Sequence, residues 1–86
     1  IEPAMVRRYF ETLPGVARIH DLHIWPIGTN EVALTCHLVM PGGHPGDTFL
    51  LRATAELAER FNIGHPTLQI ETSEETACAL APDEKV

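Results

Sequence analysis

The residues in this chain that could do chemistry are imidazoles and carboxylates. His20-Asp21-Leu22-His23 places two of the five histidines and an aspartate within four positions. His37 follows Cys36, and His65 and Glu71 bracket a run of alternating residues near the end. Neutral imidazole and carboxylate are good ligands for zinc, and also for cobalt or nickel, while the lack of a thiolate cluster argues against copper(I). No CxxC or HExxH motif occurs, so an ion site has to be assembled from separate segments.

Catalysis is poorly provided for. Cys36 and His37 are adjacent, so on a strand they face opposite ways and cannot pair as nucleophile and base. No GxSxG, phosphate-loop or dinucleotide fingerprint is present, and the Gly42-Gly43 loop lacks the lysine of a phosphate cradle. The chain reads as non-enzymatic.

The elements that must position these groups follow from periodicity. Met5, Val6, Tyr9, Phe10 and Leu13 form one apolar stripe, which predicts a helix over Glu2 to Leu13, closed by Pro14-Gly15. Val16 to Ile27 reads as a strand. A turn at Gly28-Thr29-Asn30 joins it to a second strand, Glu31 to Met40, as an antiparallel hairpin. Asp47 or Thr48 is the expected cap of a second helix running to about Phe61, with Leu50, Ala53, Leu57 and Phe61 inward. Thr67 to Thr72 completes the order as a third strand, parallel to the second. The expected fold is α+β, an α-β-β-α-β ferredoxin-like sandwich whose three-stranded mixed sheet carries both helices on one face.

Sheet parity then sorts the polar residues. The apolar faces of the second and third strands must meet the helices, leaving His37, Gln69 and Glu71 on the open face. In a regular first strand His20 and His23 point to opposite faces. His20 is the better partner for His37, because that choice sends Ile19 and Trp25 to the helix side. It also puts Asp21 on the core side, where it needs a hydrogen-bond partner; a bulge would reverse the choice. Asp47 or His44, at the loop-to-helix junction, could complete the ligand shell. The plain structural readings stand beside these. A half-exposed strand histidine such as His37 is ordinarily a surface residue, Asp47 a helix cap, His44 and His65 loop residues, and Glu71 a solvated strand end.

Composition bounds the class. Eighty-six residues make one small domain. The net charge of −6 argues against nucleic acid and against an anionic lipid surface. Two cysteines do not make a disulfide scaffold, and both read as reduced thiols in a cytosolic setting. No apolar run is long enough to cross a bilayer. After Ser73 the chain turns acidic and loses periodicity, so residues 1–73 are expected to form the domain and 74–86 a disordered tail.

Four segments together carry a resemblance: Leu13-Pro14-Gly15-Val16, His20 to Trp25, Thr35-Cys36-His37-Leu38, and His65 to Glu71. In order and spacing they resemble the C-terminal cytoplasmic domain of cation diffusion facilitators, in the CzcD-like branch of bacterial zinc/cobalt/cadmium-resistance exporters. The resemblance implies a regulatory domain of a proton-coupled efflux transporter, on the cytoplasmic side of the bacterial inner membrane. It further implies a homodimer, attached to the transmembrane domain of the same chain and drawn together by Zn2+, with Co2+, Cd2+ and Ni2+ as other candidate ions. His20 and His37 fall on metal-ligand positions, Glu71 on an acidic ligand position, and Asp47 near a metal-bridging one. Gln69 stands where some members carry a liganding histidine, which leaves His65 and His23 as candidate substitutes across the dimer. The competing reading is a stand-alone ferredoxin-like regulatory module that binds a small molecule or a protein partner.

Overall fold

The computed structural model describes residues 1–80. The elements run α1 (Pro3–Glu11), β1 (Arg18–Pro26), β2 (Val32–Val39), α2 (Asp47–Phe61), β3 (His65–Glu71) and α3 (Glu74–Leu80). The sheet order is β1-β2-β3, with β1 antiparallel and β3 parallel to β2. The expected α+β arrangement is therefore present, with β2 in the centre and one further helix.

The helices form because their apolar residues recur at helical spacing and one sheet face needs cover. Val6, Tyr9 and Phe10 of α1 and Leu57 of α2 form one buried cluster with Ile19, Leu34, Cys36 and Leu38, and Ala53 of α2 is buried as well. Each large aliphatic side chain buried this way favours the fold by about 1.5–3 kcal/mol. Met5, expected in the α1 stripe, lies outside it and is half-exposed. The Pro14-Gly15 turn requires glycine, since Gly15 has φ +86° and a β-carbon there would sit 3.2 Å from Met40 Cε. At the start of α2 the cap is Gly46 in an extended positive-φ conformation, not Asp47 or Thr48, and no side chain caps the helix. Asp47 is the first helical residue instead, where its charge suits the helix dipole. Asn62, left-handed at φ 58°, closes the helix.

Two further expectations are corrected. First, β1 is not regular. The ladder pairs His20 with His37, then skips to His23 with Thr35, so Asp21 and Leu22 form a bulge with Asp21 at φ 57°. The bulge switches parity. Ile19 and Ile24 both face the core, opposite Leu38 and Leu34, while Trp25 goes to the open face opposite Ala33 and is 41% exposed. Trp25 is thus not a core residue, and His20 and His23 share a face.

Second, the segment after Ser73 is not all tail. Glu74–Leu80 is helical, with Ser73 Oγ accepting from the Thr76 backbone N–H at 3.1 Å. Glu74 and Glu75 occupy the positive end of the helix. Ala77 is fully buried, and α3 packs on β3. Val39 and Glu71, open-face residues of β2 and β3, are buried as well, which α3 explains by covering that end of the face. Residues 81–86 of the expected tail lie outside the described residues.

Candidate metal centre

The three strands bring three ligand-bearing side chains to one point on the open face. His20 and His37 are directly cross-strand from one another, with ring centroids 4.6 Å apart. Glu71 ends β3 beside them. His20 Nε2 lies 2.6 Å from Glu71 Oε1, and His37 Nδ1 is hydrogen-bonded to Glu71 Oε2. One ligand atom from each of His20, His37 and Glu71 lies within 4.8 Å of the other two. Among the described residues this is the cluster of three or more such groups.

The cluster is sheltered. Glu71 is 1% exposed and His20 9%, so the carboxylate is held in the fold by hydrogen bonds from the two imidazoles and from the Gln69 amide at 3.4 Å. An acceptor-only carboxylate requires that both facing ring nitrogens carry protons. A divalent ion would take the place of those protons, with His20 Nε2, His37 Nδ1 and Glu71 as its ligands. Two imidazoles and one carboxylate suit zinc-type ions, and three protein ligands leave a tetrahedral ion one open position. His20 Nδ1, the nitrogen turned away from Glu71, is buried with no hydrogen-bond partner among the described residues, and an ion held at Nε2 would leave it so.

Asp21 is the residue that sequence parity misplaced. The bulge carries it to the open face, where Oδ1 lies 2.7 Å from His23 Nε2 and Oδ2 lies 3.5 Å from His37 Nε2. The hydrogen bond from His23 holds its carboxyl below the usual carboxylate range. The remaining expected ligands do not reach the cluster. His23 is largely exposed beyond Asp21. Asp47 is exposed in the first turn of α2. His65 sits at the other end of β3 and pairs with Glu31 at 3.2 Å. His44 Nδ1 accepts from the Gly46 N–H at 3.0 Å, a loop-shaping role.

Comparison with known proteins bears on the family and the fold. Residues 1–73 match the family described as "Cation efflux protein, cytoplasmic domain", so the match ends just before α3. The vacuolar zinc transporter TgZnT of Toxoplasma gondii is 31% identical over 74 residues, covering 85% of this chain and 8% of that protein. The metal cation efflux system protein CzcD of Cupriavidus metallidurans is 35% identical over 72 residues, covering 83% of this chain and 23% of that protein. The chain thus spans less than a quarter of either relative. Among solved structures, the metal-bound C-terminal domain of the CzcD transporter superposes with a TM-score of 0.72 at 33% identity, covering 83% of this chain and 99% of that one.

Proposed function

This chain belongs to the family of cation efflux protein cytoplasmic domains, and from that premise we propose that it is the metal-sensing and dimerisation domain of a divalent-cation efflux transporter. The observation that carries the proposal is the convergence of His20, His37 and Glu71 in a chain of this family. The zinc transporter and metal efflux relatives and the metal-bound CzcD domain support a zinc-type ion. The full-length protein would be a proton-coupled exporter, with this domain on the cytoplasmic side of the bacterial inner membrane.

The physics of sensing is a population shift. Two copies of a chain with net charge −6 repel each other. A dication between them offsets part of that repulsion, and its open coordination position can take a ligand from the second copy. Only the difference in ion affinity between the joined and separate states moves the equilibrium. Imidazole must be unprotonated to bind, so acidification opposes the ion.

The test is calorimetric zinc titration of the chelator-stripped chain beside His20→Ala/His37→Ala. The expected result is a tight site in the wild type that the double variant lacks. Equal affinity in both would sink the assignment. Sedimentation with and without zinc then reads the dimer directly.

A further inference from the structure

We propose that Asp21 is the positioning residue for His37, holding its ring in the orientation and tautomer that present Nδ1 to a metal ion. This rests on the metal reading of His20, His37 and Glu71.

The argument starts from protons. Without an ion, His20 Nε2 and His37 Nδ1 both face the Glu71 carboxylate and so carry hydrogen. To become ligands, those nitrogens must each expose a lone pair, and a neutral imidazole then keeps its proton on the other nitrogen. For His37 the other nitrogen is Nε2, which has Asp21 Oδ2 at 3.5 Å. For His20 it is Nδ1, which is buried without a partner among the described residues. A carboxylate behind a metal-bound imidazole fixes its tautomer and ring plane and raises its basicity. The two histidines therefore differ: His37 has a carboxylate oxygen at ion-pair distance behind it, and His20 has no partner among the described residues.

Backbone and neighbours both serve this arrangement. Asp21 reaches the open face only because the bulge holds it left-handed, a conformation that aspartate tolerates better than most residues. His23, on the same face, donates to Oδ1 at 2.7 Å and keeps the carboxylate turned so that Oδ2 faces His37. Asp21 is not part of the three-residue cluster. Its action on the ion runs through His37.

The test uses the whole chain with zinc alone as ligand. Asp21→Asn keeps a residue that accepts positive φ and removes the charge; Asp21→Gly keeps the backbone and removes the side chain. Both variants are expected to fold and to lose zinc affinity by about 10- to 100-fold. Long-range 15N–1H spectra of the zinc-loaded wild type are expected to show His37 bound through Nδ1 with hydrogen on Nε2. Wild-type affinity in both variants, or coordination of His37 through Nε2, overturns the proposal while leaving the metal site standing. A wild type with no zinc site overturns both. A loss of affinity in Asp21→Asn that Asp21→Gly restores would show a backbone effect and also overturn it.

Discussion

His20 and His37 face each other across the β1–β2 ladder, and the same buried carboxylate, Glu71, bonds both rings. Cross-strand pairing sets the spacing of the imidazoles, and the parallel β3 supplies the carboxylate from the other side of β2. The ligand shell is therefore made by the sheet itself, and anything that slips the β1 register dismantles it.

Ligand binding to the folded state should appear as thermal stability. At an ion concentration 100 times Kd the gain is about 2.7 kcal/mol, which for a domain of this size raises Tm by about 10–20 °C. Scanning calorimetry with and without zinc checks this. The shift should vanish in His20→Ala/His37→Ala and shrink on acidification, because protons compete for the ring nitrogens.

The bulge makes a separate prediction about the backbone. Asp21→Val places a β-branched side chain at φ 57°, a true steric outlier. We expect a loss of about 1–2 kcal/mol in urea unfolding, whereas Asp21→Gly should be close to neutral. Equal stability of the two would mean the strand straightens when Asp21 is replaced.

Much of this was legible in the sequence. Helical and alternating periods placed five elements in order, and parity put His37, Gln69 and Glu71 together on the open face. The bulge left only a trace: apolar positions change phase from Ile19 to Leu22 and Ile24 across the adjacent polar pair His20-Asp21, which a bulge and a regular strand with one misplaced polar residue explain equally well. Only the ladder shows that two residues of β1 lack partners, and this reversed the places of Asp21 and Trp25. The third helix left a readable trace. Ser73 followed by Glu74-Glu75 is a helix-start signature, masked by the acidity of the tail beyond it.

On the helix side, Tyr9 donates to Glu56 Oε1 at 2.6 Å and joins α1 to α2. Burial, and then this hydrogen bond, push the Tyr9 hydroxyl above its ordinary value of 10.0. The same bond holds the Glu56 carboxyl below its ordinary value. The signs follow. Glu56 contributes stability above the usual carboxylate range, lost as pH falls through its depressed value. Tyr9 contributes below about 10, lost as pH rises further. Tyr9→Phe is expected to cost about 1–2 kcal/mol and to flatten stability at both extremes of pH, measured by urea titrations across that range.

The two thiols should differ in reactivity. Cys36 is 1% exposed in the core, and burial pushes its thiol up to about 12. Cys78 is exposed on α3. A thiol reagent at pH 8 should label one site per folded chain, identified as Cys78 by mass spectrometry, and both only in denaturant. Rapid labelling of Cys36 in the native protein would mean that the β2 core opens easily.

The last prediction concerns α3, which begins where the family match ends. Its anchor is Ala77, fully buried, helped by the Arg18–Glu74 pair at 2.8 Å. That pair is solvent-exposed and contributes little, so the apolar contact must hold the helix. Ala77→Asp buries an unpaired charge there and should release α3 without unfolding the sheet. Arg18→Ala should leave it docked. Hydrogen exchange distinguishes the two. With α3 released, amides of α3 lose protection while those paired between β1 and β2 keep theirs. Glu71 would then lie more open to water, so zinc exchange at the cluster should quicken. Unchanged exchange in Ala77→Asp would mean that α3 covers the face without controlling access to the carboxylate.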